Sequence, residues 1–151
     1  MGLSLIFCAG ADAEAPKKIL KALETVDYEA LEPLIARKAD FSLHLIPRDL
    51  ELLSQCAAPF SARKEAPFRA GLTCYLDEAD RGLFIVSEEW EQYMAAIDPA
   101  KAKALTETWF QAMGPEAVSP SPDAVAAVED LIALCQYAGQ TGNPVLHMWM
   151  L

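Results

Sequence analysis

The sequence predicts an α+β domain: a small mixed or antiparallel sheet packed with several helices. Three observations carry this expectation. Apolar runs open and close the chain, at residues 3–8 and 145–151, and both are too hydrophobic for free tails. Residues 68–77 alternate, a turn follows, and a short apolar run spans 83–86, which together describe a hairpin. The other apolar residues recur at helical spacing behind proline or hydroxyl start signals. The sheet therefore draws on an N-terminal strand, the central hairpin and a C-terminal strand.

The first strand is apolar on both faces: Leu3, Leu5 and Phe7 on one, Ile6 and Cys8 on the other. That pattern suits a strand covered on both sides. It is not a secretory leader, because it lacks a positive start and falls short of the usual apolar length. Pro16 then fits the first turn of a helix carrying Ile19, Leu20, Leu23 and Val26. Asp27 can cap a second short helix with Leu31, Leu34 and Ile35, which Pro33 must kink or restart. Residues 41–46 read equally well as strand or as the approach to a helix starting at Pro47. As a strand they would make a three-layer α/β domain the alternative fold. Residues 57–67 form the longest irregular connection and are the expected mobile segment.

In the hairpin, Phe68, Ala70, Leu72, Cys74 and Leu76 share the expected buried face. Ser87 caps a helix whose first turn holds Glu88 and Glu89, where carboxylates favour the helix dipole. Trp90, Tyr93, Met94 and Ile97 form its apolar face. Asp98-Pro99 starts the next helix, with Ala102, Leu105, Trp109, Phe110 and Met113, and Gly114-Pro115 stops it. Ser121 and Pro122 begin the last helix, buried along Val125, Val128, Leu131, Ile132, Cys135 and Ala138. Gly142 to Pro144 end it before the terminal strand, which pairs inside the sheet. Residues 1–151 make a single domain, because 151 residues suffice for a core without disulfide or metal.

Twelve basic against 22 acidic side chains give a net charge of −10. This opposes nucleic-acid binding, which needs Lys and Arg, and adsorption to anionic membranes. The imbalance is local: residues 1–76 hold nine basic and ten acidic side chains, residues 77–151 three and twelve. Its densest part contains Asp77, Glu78, Asp80, Glu88, Glu89 and Glu91. Such a cluster is either a solvated face or a docking face for a basic partner. Four dispersed cysteines without CxxC spacing read as reduced core thiols in a cytoplasmic protein. No run of residues is long and apolar enough to span a bilayer.

Chemistry is sparse. The two histidines are His44 and His147, and both read first as packed side chains. A Cys74–His147 pair across adjacent strands is the nucleophilic alternative. Residues 8–10 lie between strand and helix but form no phosphate loop. No metal site or cofactor is expected. Trp90, Trp109 and Trp149 read as core.

Two functional readings follow. The first is a cytoplasmic, non-enzymatic interaction module that docks a basic protein through its acidic C-terminal half, at Asp77, Glu78, Asp80, Glu88, Glu89 and Glu91. The second is a small enzyme or ligand-binding domain with a pocket at the strand ends. It would use Cys74, Tyr75 or His147, with residues 57–67 as lid. Homodimerisation through an open sheet edge or a helix face is compatible with either.

Overall fold

A computed structural model describes residues 3–43, 45–114 and 119–151. Five strands form one sheet: β1 (Ser4–Gly10), β2 (Ile35–Asp40), β3 (Thr73–Asp77), β4 (Arg81–Ile85) and β5 (Val145–Met150). Their order is β2-β1-β5-β4-β3, and every neighbouring pair is antiparallel. Five α-helices are described: α1 (Ala15–Glu24), α2 (Pro47–Cys56), α3 (Glu88–Ala95), α4 (Ala102–Met113) and α5 (Pro122–Thr141). The fold is thus α+β, as the sequence predicts. Among the described residues, no helix is long and apolar enough to cross a membrane.

The terminal run lands at the centre of the sheet. β5 lies between β1 and β4, and both its faces are occupied. On one face Val145 joins the larger core, built with Leu5, Phe7 and Ala9 of β1 and with helices α2 to α5. On the other, Leu146 and Met148 join Cys8, Leu83 and the Ile19, Ala22 and Leu23 face of α1. Burial of these side chains on both sides is what makes the run so uniformly apolar.

Caps and stops follow the sequence closely. Ser87 Oγ accepts from the Trp90 amide and Ser121 Oγ from the Ala124 amide. Gly142 ends α5 in the left-handed region, at φ 76°. Pro115 of the expected α4 stop lies outside the described residues, as does His44.

Three expectations need correction. The short helix after Asp27 is instead two 3-10 turns, at Tyr28–Ala30 and Glu32–Leu34, and Ile35 starts β2. β2 is an edge strand with Ala39 as its one fully buried residue, so it carries no alternation to read. Residues 41–46 are not a strand among those described; they lead into α2 at Pro47, so the three-layer alternative falls. The hairpin's first strand begins at Thr73, because Arg69–Gly71 is a 3-10 turn. Glu51 of α2 holds that turn by accepting from the Phe68 and Arg69 amides.

Residues 57–67 are tied down. Ser54 Oγ donates to the Ala66 carbonyl and accepts from the Trp90 indole N–H. Tyr93 OH donates to the Ser54 carbonyl, and Ser61 Oγ donates to the Tyr93 carbonyl. Ala57 and Ala66 are fully buried. A buried network of this kind leaves unpaired polar groups if it opens, so it rigidifies the segment.

α1 ends in a Schellman motif: the Asp27 amide donates to the Ala22 carbonyl and the Val26 amide to the Leu23 carbonyl. Val26 takes the left-handed position, at φ 57°, which a β-branched residue adopts at a cost. Val26→Gly is expected to stabilise the protein by about 1 kcal/mol, measured by chemical denaturation. Leu146, fully buried at the sheet centre, is expected to cost about 2–5 kcal/mol when changed to Ala. A chain ending before Val145 is expected to lose its cooperative thermal transition, followed by circular dichroism.

Candidate functional site

Register brings one row of side chains across all five strands. Cys74 of β3 pairs with Phe84 of β4, Phe84 with His147 of β5, His147 with Phe7 of β1, and Phe7 with Ala39 of β2. The next row on the same face runs Asp77, Gly82, Trp149 and Leu5. Toward β2 these rows are covered by helices. Toward β3 they floor a cleft of about 590 Å³. Pro47 and Leu50 at the start of α2 wall it, together with Phe68, Arg69 and Leu72 around the 3-10 turn. Mostly apolar lining with a few polar groups is the usual composition of a small-molecule site.

Two local irregularities shape the cleft. A bulge at Tyr75 interrupts the β3–β4 register, so that Leu76 faces Leu83 and Asp77 faces Gly82. Regular pairing would put Leu76 over the cleft. The extra residue sends it to the opposite face and leaves the rim to Asp77. At Gly82, an added Cβ would overlap the Trp149 indole at Nε1. The indole therefore fills the space that a side chain at position 82 would need. Trp149 is consequently half-buried in the cleft and not in the core, a correction to its sequence assignment.

His147 is the buried polar group of the floor, at 6 % exposure. Its ring stacks on Phe7, with centroids 4.7 Å apart, and meets the Phe68 ring edge-on at 5.5 Å. Phe84 lies on its other side at 6.2 Å. Burial lowers its pKa from 6.5 to about 4, opposed in part by the Ile6 backbone. The imidazole is therefore neutral at pH 7. Nδ1 is sealed from solvent and no hydrogen bond of good geometry reaches it, although the Ile6 backbone lies close enough to the ring to raise its pKa. An unmet buried polar atom costs about 1–3 kcal/mol, so an apolar residue would pack this position better. The packed histidine expected from the sequence is present, but at a stability cost that packing alone does not explain.

The other sequence candidates fare differently. Cys74 lines the cleft but is exposed, whereas Cys8 and Cys135 are buried and Cys56 is intermediate. The expectation of four core thiols fails because β3 is an edge strand whose inner face opens on the cleft. Cys74 and His147 are not on adjacent strands: β4 separates them, placing their backbones about 10 Å apart. Phe84 stands between them in the row, so they form no nucleophile–base pair. Tyr75, at the bulge, is exposed.

The acidic residues divide into two groups. Asp77, Glu78 and Asp80 sit at the β3–β4 turn, where Asp80 pairs with Arg81. Arg81 also donates to the Leu23 carbonyl at the end of α1. Glu88 and Glu89 lie in the first turn of α3, beyond the far end of β4 and about 17 Å away. Glu91 is buried, which removes it from any acidic surface. Burial, and next the neighbouring Glu88, push its pKa from 4.5 to about 7, against a lowering contribution from the Val145 backbone. Sequence reasoning placed Glu91 on a solvated face; its i, i+3 spacing from Glu88 does not reveal that Trp90, Glu91 and Met94 all turn inward. Among the described residues, no three His, Cys, Asp or Glu side chains are grouped to hold a metal.

His147 and Glu91 set opposite pH responses. The folded pKa of His147 is lowered, so its contribution to stability is full above 6.5 and is lost as pH falls toward 4. That of Glu91 is raised, so its contribution is full below 4.5 and is lost as pH rises toward 7. Between pH 4.5 and 6.5 the two oppose each other. Relative to wild type, His147→Phe is expected to make stability fall more with rising pH, and Glu91→Gln to make it rise more. Each change in slope is at most about 1.4 kcal/mol per pH unit. Urea denaturation of the three proteins across this window checks the signs.

No family model matches the chain, and no curated protein or solved structure matches it. Its function is therefore read from the geometry of the cleft.

Proposed function

We propose that the protein is a binding domain for a small, largely apolar molecule, held in the cleft between the β3–β4–β5 half of the sheet and the start of α2. The observation that carries this reading is the buried, unsatisfied His147 on the floor of a 590 Å³ apolar cleft. That volume falls within the usual range for small-molecule sites, and the walls stand on anchored elements. Glu51 holds the 3-10 turn and Asp49 accepts from the Ile46 amide at the start of α2. A pre-formed cleft loses little entropy on binding.

Binding fits the geometry better than the two competing roles. For covalent chemistry at Cys74, His147 cannot serve as the base, since β4 lies between them. Docking of a basic partner lacks one continuous acidic surface, because the carboxylates occupy opposite ends of β4 and Glu91 is buried.

Cys74 offers a direct readout. It is the exposed cysteine of the four and lines the cleft. A chemically diverse library screened by thermal shift is expected to yield ligands that raise Tm. At a hundredfold excess over Kd the gain is about 2.7 kcal/mol. The same ligands are expected to slow alkylation of Cys74, followed by peptide mapping. Ligands that stabilise the protein and leave Cys74 alkylation unchanged would place binding elsewhere and overturn the proposal, as would a screen without hits.

A further inference from the structure

We infer that the ligand of this cleft is a neutral, planar aromatic molecule and not a flexible aliphatic chain or an anion; the inference rests on the binding role proposed above. Shape is the first argument. Phe68, Phe84, Trp149 and the imidazole of His147 all line the cleft. His147 already meets two of the other rings, with Phe68–His147 and Phe84–His147 centroids 5.5 and 6.2 Å apart. Phe68 and His147 are themselves buried, so the half-buried Phe84 and Trp149 rings supply the faces and edges for offset or edge-on stacking with another flat ring. Gly82 matters here as well: its missing side chain is what lets the Trp149 indole lean over β4.

Charge is the second argument. The floor holds a neutral imidazole with a sealed Nδ1, and no charged side chain accompanies it there. A charged ligand group would be desolvated at that depth without a partner. At the rim the charged lining residues are Arg69 and Asp77, one of each sign. Neither takes part in the ion pairs found among the described residues, which are Lys38–Glu32, Arg81–Asp80 and Lys103–Glu107. Opposite charges at one rim give no net attraction for an ion of either sign.

Three matched probes separate these requirements: 2-naphthol, its saturated counterpart decahydro-2-naphthol, and 2-naphthoate. Isothermal titration of the intact protein is expected to give 2-naphthol at least about tenfold tighter binding than either of the others. Phe84→Leu is expected to narrow that preference, and its thermal melt verifies that the variant is folded. A second variant, Leu72→Trp, fills the cleft from its wall and is expected to abolish binding of 2-naphthol. Equal binding of the saturated probe would overturn the requirement for planarity. Tighter binding of naphthoate would overturn neutrality and assign Arg69 the deciding role. Failure of all three probes would overturn the inference. The cleft would still stand as a binding site if other ligands protected Cys74 from alkylation, and would fall with the inference if none did.

Discussion

The structure depends on the insertion of the last six-residue strand into the middle of the sheet. Among the described residues, β5 alone joins β1 to β4; without it the sheet would divide into two two-stranded ribbons, β2–β1 and β4–β3. Isolated two-stranded ribbons are marginal in water. Both cores also depend on β5, since Val145 faces the helices α2 to α5 and Leu146 and Met148 face α1. The pairing of Ser4 with Met150 closes nearly the whole chain into one loop. Such non-local pairing makes closure of the fold slow relative to helix formation. It also means that neither half of the sequence carries a complete sheet.

The strand that closes the sheet also supplies the site. Val145, His147 and Trp149 point to the same face by strict alternation, yet they meet three environments. Val145 is core, His147 is the buried floor, and Trp149 is a half-buried wall. The difference arises from what lies above each position. Helices cover the β2 side of the sheet, while over β3 and β4 the bulge at Tyr75 turns Leu76 to the opposite face, and the Trp149 indole leans over Gly82 as a wall. An apolar residue at 147 would remove an unmet hydrogen-bonding group from the core. Its presence in an otherwise consistent fold is the kind of local violation that marks functional positions.

Much of the fold was legible in the residues. The terminal strands, the hairpin, the Ser87 and Ser121 caps, the apolar face of α3 and most of that of α5, Val125 excepted, follow from period, proline and hydroxyl placement. β2 was not legible, because an edge strand reading Ile-Ala-Arg-Lys-Ala-Asp buries only Ala39 and has no apolar period. The cleft is partly legible: Cys74 and His147 stand out in the sequence as candidates, and both line it. Their relation was not, since strand order and the Tyr75 bulge are tertiary facts that alternation cannot supply. The same bulge reversed the expected facing of Leu76 and Asp77. Glu91 was misplaced for a related reason: a carboxylate in a charged run reads as solvated until the packing of α3 against its neighbours is known.

Everything in the proposed site turns on His147 being a buried, neutral floor residue touched by what enters the cleft. Nitrogen-15 spectra of the histidine rings at about pH 5.5 test it most directly, because an ordinary histidine is largely cationic there. His147→Phe assigns the signals, since the chain has only one other histidine. The His147 ring is expected to be neutral at that pH, and its signals to shift when a ligand that protects Cys74 is added. A His147 ring that titrates near 6.5, or that is indifferent to such a ligand, would contradict it.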